Sequence, residues 1–336
     1  THCISSAASD VYKRQVSVSD GRNVVKTDEN GAYTLPGYSK SRFVTVTTPA
    51  GYWTENYYIP VTKDRETYDF RLDKSEKTAQ ADHSFLQISD SEIGAKGVGA
   101  WIEHVRDTVK ETDPAFLIHT GDICYEDGLK QHIKDMNTEN MGVPVRYVIG
   151  NHDYVAGKYG EALFESIYGP VWYSFDVGNV HYVVTPFQTG ADYASGYNKN
   201  DRWKWLENDL ANVEPGMKVV MFNHTKAPSD DYVLSYGLKK LDLKEHDLIA
   251  WVYGHYHYNY ITETDGVLNI STGRPDCGGI DSSASGSRLI SITANGQVST
   301  QMYYYDFEQP QAPDGANWSA QLEGNLLFAD PLAVGN

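Results

Sequence analysis

The sequence predicts a small all-β domain followed by a larger domain of mixed α and β structure. Three observations carry that prediction. Residues 16 to 72 hold short runs that alternate at period two between turn signals. From His83 onward, apolar runs of strand length alternate with segments of helical period. Clusters of Asp, Asn and His follow those apolar runs directly, where an α/β sheet gathers its functional side chains. The length of 336 residues suits one large and one small domain, and a hydrophobic content of 40% is enough for a sizeable core.

The elements follow in order. Thr1 to Gln15 has no period; it resembles a stray translated leader and is set aside from the fold. Lys26 to Leu35 reads as a polar turn around Gly31 running into a strand, Phe43 to Thr47 as a β-branched strand, and Asp69 to Leu72 as another. The pattern TDxxGxYxL, from Thr27 to Leu35, resembles the carboxypeptidase-regulatory-like, transthyretin-like β-sandwich modules of secreted bacterial proteins. That resemblance implies a module over 16–73 serving as a spacer, and an exported protein, periplasmic or at the surface of a bacterial cell. Residues 74–82 are polar and read as a linker.

Residues 83–306 form the larger domain. Strands are expected at Ser84–Ser89, Phe116–Ile118, Val145–Ile149, Val219–Phe222 and Leu248–Tyr253. Val98, Trp101, Ile102, Val105 and Val109 recur at helical spacing, and Arg202 to Val213 fits a second helix. Gly178-Asn179, Asp265-Gly266 and Asn295-Gly296 have the turn chemistry of hairpins. Residues 307–336 change character; Trp318 to Pro331 resembles the opening strands of a quinoprotein-like propeller repeat, with a packed terminal arm as the equal alternative.

Charge and cysteine count exclude several classes. There are 28 Lys and Arg against 45 Asp and Glu, a formal charge of −17, so the surface repels polyanions and nucleic acid is not an expected partner. Cys3, Cys124 and Cys277 give neither a paired framework nor a thiolate zinc spacing. No apolar run is long enough to span a bilayer. The sequence leaves the oligomeric state open.

The polar clusters are Asp90-Ser91-Glu92, Gly121-Asp122, Gly150-Asn151-His152-Asp153, Asn223-His224 and Gly254-His255-Tyr256-His257. Carboxylate, amide oxygen and imidazole together suit divalent zinc, or divalent or trivalent iron or manganese. A shared carboxylate can hold two such ions about 3.5–4 Å apart, lower the pKa of a water between them and offset phosphate charge.

In this order, DxE, GD, GNHD, NH and GHxH resemble the calcineurin-like metallophosphoesterase family over residues 83 to 304. The resemblance implies a four-layer α/β/β/α sandwich on two mixed sheets, so the fold class of the whole is α/β (α+β) behind an all-β module. It implies dinuclear hydrolysis of a small phosphomonoester or phosphodiester by a metal-bridging hydroxide. Asp90 and His257 would hold the first ion, Asp122 would bridge, and Asn151, His224 and His255 would hold the second. His152 would face the substrate as proton donor, with Asp153 orienting it. The family has Asp-x-His first, so Glu92 stands where a histidine is usual. Glu92 is then either an oxygen ligand that hardens the first site, or a residue outside the shell of a decayed one, which would leave a non-catalytic binding module. Arg274 offers either a phosphate clamp or an ion pair. His83, His104, His119, His132, His181 and His246 lie outside the motifs and read as structural or exposed.

Overall fold

The computed structural model describes residues 2–3, 5–6, 15–93, 99–155, 158–187, 195–236 and 238–305. The propeller-like reading of Trp318–Pro331 and the helical position of Val98 lie outside them.

Two sheets form the centre. The five-stranded sheet has the order Val145–Tyr147, Phe116–His119, His83–Ile88, Gly286–Ile292, Val298–Tyr304. Its first three strands are parallel and its last two antiparallel. The six-stranded sheet has the order Tyr173–Val177, Val180–Val184, Lys218–Phe222, Leu248–Tyr253, Val267–Ser271, Tyr260–Thr264, parallel inside with an antiparallel strand at each edge.

Alternation along the strands assigns the layers. Phe85 and Phe116 of the first sheet meet Tyr182 and Phe222 of the second edge-on, at 5.0–6.2 Å between ring centroids. Such pairs contribute about 0.5–1.5 kcal/mol each beyond their buried area. Leu86, Ile88 and Leu117 point the other way and pack with Trp101, Ile102, Val105 and Leu129 of the helices Trp101–Thr112 and Tyr125–Asp135. On the far side Val219, Met221 and Trp251 pack with Trp203, Leu206 and Leu210 of the helix Lys199–Leu210. The result is the expected four-layer α/β/β/α order. Lys199–Leu210 starts earlier than its apolar period suggests because Asn198 and Asp201 form a capping box.

The front of the chain is all-β. Val24–Lys26, Ser17–Ser19, Phe43–Val46 and Tyr58–Pro60 make an antiparallel sheet, and Arg71–Lys74 pairs with Tyr52–Trp53. The opening residues, set aside in the sequence reading, contribute two short strands: His2–Cys3 pair with Ala32–Tyr33, and Ser5–Ser6 with Arg71–Leu72. Within the 74–82 stretch, Glu76–Ala79 forms a helical turn capped by Ser75, and the Thr78 carbonyl accepts from Gly178 N at 2.8 Å. Module and sandwich share buried core, Val18, Tyr57 and Phe70 packing in one cluster with Phe116 and Phe175. No helix among the described residues is long and apolar enough to cross a membrane.

Candidate metal centre

Every motif block sits on the segment immediately after a strand. Asp90 and Glu92 follow His83–Ile88, Asp122 follows Phe116–His119, and Asn151 to Asp153 form a 3-10 turn beyond Val145–Tyr147. His224 follows Lys218–Phe222, and His255 and His257 follow Leu248–Tyr253. Three of these strands belong to one sheet and two to the other, so the blocks meet where the sheets abut.

The approach is close enough to need strained backbone. Asp90, Glu92, Asp122, His255 and His257 have φ of 53°, 43°, 56°, 69° and 51°. Each such residue costs on the order of 1–3 kcal/mol, so its surroundings must over-determine it. They do: Asp90 N donates to Gly121 O at 2.9 Å, Glu92 N to Asp122 O at 3.1 Å, and His255 N to the Asp90 carboxylate at 2.9 and 3.0 Å. A β-carbon at Gly150 would overlap Asp122 Oδ1, and one at Gly254 would overlap Ser89 Oγ and Asp90 Oδ2. The glycines of GNHD and GHxH are therefore close-approach residues.

The side chains converge. His224 Nε2 lies 3.0 Å from Asp122 Oδ2, 3.8 Å from Asp90 Oδ1 and 3.3 Å from His255 Nδ1. His257 Nε2 lies 3.4 Å from Asp90 Oδ1 and 3.3 Å from Glu92 Oε1. Donor atoms of Asp122, His224 and His255 fall within 4.8 Å of one another, and so do those of Glu92, Asp122 and His152. Asp122 is common to both groups. His224 is fully buried, and its Nδ1 donates to Thr120 O at 2.8 Å, which fixes the ring with Nε2 turned inward.

Two features fit a cation. Asn151 Oδ1 is buried without a hydrogen-bond partner among the described residues, and a buried amide oxygen is costly to leave so. The carboxylates of Asp90 and Asp122 are 0% and 1% exposed, and the ion pairs they make are with imidazoles. These carboxylates favour the protonated form of His224 and His257. Burial pushes His224 down, but Asp122 outweighs it and lifts the ring to about 9; hydrogen bonds that His257 donates to Asp90 and Glu92 lift it to about 10. Cations held by this donor set would replace those protons.

Asp153 departs from expectation. Its carboxylate accepts from Asp122 N at 3.0 Å, Gly150 N at 2.8 Å and Cys124 N at 2.8 Å. It does not orient the ring of His152, whose buried Nδ1 has no partner among the described residues. Asp153 clamps the two loops carrying Asp122 and Asn151 instead. Burial, with Asp122 nearby, raises its pKa to about 7. His152 N donates to Asp122 Oδ1 at 2.9 Å, and its ring, about one-third exposed, packs beside Tyr125 with centroids 5.5 Å apart.

Arg274 takes the ion-pair role. Nη1 meets Glu92 Oε2, while Nε and Nη2 bind the Asp276 carboxylate at 3.1 Å each. Glu92 thus lies between His257 and Arg274, and these two hold its pKa below the usual range against the effect of burial. His119, which the sequence reads as structural or exposed, accepts from Gly121 N at 3.2 Å and bonds Ser91 Oγ at 2.8 Å, bracing both loops. Sequence reasoning missed Phe187, whose ring lies 5.9 and 5.6 Å from those of His224 and His255. No motif marks it; its only signal is its place soon after the apolar run Val180–Val184.

Residues 83–259 match the family model for calcineurin-like phosphoesterase. The chain belongs to the calcineurin-like phosphoesterase family. Residues 13–75 match the model for the N-terminal domain of calcineurin-like phosphoesterase, so the β module is one that accompanies this domain. No curated protein gives a significant match. Similar solved structures include a dimetal phosphatase from Danio rerio, at 12% identity over 66% of this chain and 95% of that one, TM-score 0.48. The Plasmodium protein GAP50, described as the anchor in the inner membrane complex, is 15% identical over 67% and 85%, TM-score 0.45. An archaeal phosphodiesterase is 15% identical over 66% and 99%, TM-score 0.33. Membership in the calcineurin-like family accords with a metal-binding centre and phosphoester hydrolysis in general terms.

Proposed function

We propose that the chain is a metal-dependent phosphoric ester hydrolase that cleaves a small phosphomonoester or phosphodiester without a covalent enzyme intermediate. One observation carries this reading: Asp122 belongs to both candidate donor groups, so a single carboxylate is within reach of the ligands on either side of it. Asp90, Glu92 and His257 would hold one cation, Asn151, His224 and His255 the other, and Asp122 would serve both. Two such ions, manganese, iron or zinc, supply an acidified water and offset phosphate charge.

The residues of the chain do the rest. Asp153 fixes the Asp122 and Asn151 loops to each other through three backbone amides. Thr120 O holds His224 with Nε2 inward. His152 combines contact with Asp122 and solvent exposure, so its imidazole is the group positioned to give a proton to the leaving oxygen. The acidic surface favours small substrates over nucleic acid. Purified protein assayed on 4-nitrophenyl phosphate and its bis ester with manganese, iron or zinc is expected to turn over at least one; inertness on both with all three metals would refute the reading.

The Glu92–Arg274 pair favours a second reading. A guanidinium competing for Glu92 weakens the first site, and the fold would then serve as a binding module. Metal stoichiometry of Glu92→His separates the two: a gain from one ion to two supports the decayed site, and two ions in both proteins supports the hydrolase. The kinship of residues 16–73 with carboxypeptidase-regulatory-like modules, and the export this implies, remain proposals; fractionation of the native cell tests the second.

A further inference from the structure

Two arginines cross between the N-terminal module and the calcineurin-like domain, in opposite directions. Arg42 of the module enters a cage in the larger domain. Its guanidinium lies 3.6 Å from the ring centroid of Tyr159 and 3.7 Å from that of Tyr197, and Nη1 reaches Glu161 Oε1 at 3.1 Å and Glu165 Oε2 at 2.6 Å. Arg146 of the larger domain enters a box walled by Trp53 and Tyr57 of the module, at 4.1 and 4.2 Å, with Phe175 at 5.4 Å. Arg146 is 2% exposed, and its Nε and Nη2 have no hydrogen-bond partner among the described residues, so aromatic faces answer its charge.

Both contacts lead to the metal centre. Arg146 lies on Val145–Tyr147, the strand that runs into Asn151 and His152. Beyond that turn, Tyr154 donates its hydroxyl proton to Phe187 O at 3.2 Å, and Phe187 stands against His224 and His255. The Glu161 oxygen that holds Arg42 also accepts from Gly196 N at 2.8 Å and Ser195 Oγ at 3.1 Å, and Tyr197 donates to Glu165 Oε1 at 3.0 Å. Arg42 therefore ties Glu161, just after the Asn151 turn, to Ser195–Tyr197, just before Lys199–Leu210. A spacer would meet its neighbour through a polar, replaceable surface; here each partner inserts a guanidinium into the other, Arg146 fully buried and Arg42 largely so.

We propose that the module is a working part of the active site, with Arg42 a positioning residue that fixes Glu161 and Tyr197 and, together with the Arg146 box, the loop carrying Asn151 and His152. The inference rests on the hydrolytic reading, yet part of its test does not need activity. In the full chain, Arg42→Gln is expected to lower kcat on 4-nitrophenyl phosphate roughly 10–100-fold with KM changed less than about threefold. Arg42→Lys should recover only part of the loss, because an ammonium lacks the stacking fork. Amide hydrogen exchange at Tyr147–Tyr154 should quicken about tenfold or more in Arg42→Gln, while Ser17–Ser19 and Phe43–Val46 exchange as in wild type. Should the Arg42 variants fail to fold, Trp53→Leu reads the same peptide through the Arg146 box. Wild-type kcat and unchanged exchange at Tyr147–Tyr154 in these variants would overturn the proposal. An inert wild type would sink the hydrolytic reading, and the exchange data would still decide the positioning role.

Discussion

Among the buried carboxylates of the described residues, two pairs are answered differently. Glu161 and Glu165, at the module interface, share the guanidinium of Arg42. Asp90 and Asp122, at the strand ends, pair with imidazoles. A guanidinium is a permanent charge that cannot give way to a metal, so the first pair is structural. An imidazole can shed its proton and ligate, so the second pair is compatible with a cation. Glu92 stands between the two designs, touching both His257 and Arg274. An imidazole partner alone does not mark the site, since buried Asp209 pairs with His181 at 2.9 Å away from the strand-end cluster; the convergence of several imidazoles and carboxylates does.

The largest effect should come from the carboxylate common to both donor groups. Asp122→Asn is expected to abolish stable binding of both cations and to lower kcat/KM by about 10³-fold or more, read by elemental analysis and ester hydrolysis. His152→Ala should come next, with kcat down about 10²–10⁴-fold and metal content unchanged; loss of an ion would instead make His152 a ligand. The interface pair gives a pH signature. Burial, partly offset by Arg42, raises Glu165 to about 7, above its unfolded value. Such a group contributes stability below its unfolded pKa and loses it as pH rises through the folded one. Without Arg42 the penalty grows, so the Tm deficit of Arg42→Gln should be larger at pH 8 than at pH 5, with Glu161, Tyr159 and Tyr197 the other polar groups facing the site. Equal deficits would mean that the glutamates are not what Arg42 balances. The smallest effect is expected from Arg274→Ala. Removing the cation that competes for Glu92 should tighten manganese binding by roughly several-fold in titration calorimetry, and weaker binding would place Arg274 among the supports of the site.

The sequence was most legible where burial is two-sided. Leu248–Tyr253 is a continuous apolar run, and the strand occupies those residues. The hairpins at Gly178, Asp265 and Gly296 follow from turn chemistry alone. The helix Tyr125–Asp135 was not foreseen, because Leu129 is its only fully buried large apolar side chain and its other buried positions are Gly128 and His132. At the site, strand-end placement brought Asp90, Asp122, His224, His255 and His257 together as expected. Asp153 was read through its neighbour His152, whereas its carboxylate is spent on backbone amides, a partnership that leaves no mark in sequence. Arg42 and Arg274 find carboxylates 119 to 182 residues away, and no local pattern predicts that.

Anomalous diffraction from crystals soaked in manganese tests the central claim most directly. Two peaks are expected, one on each side of the Asp122 carboxylate, with His224 and His255 at one and His257 at the other. A protein that takes up no ion there, or binds ions that do not touch Asp122, would contradict it.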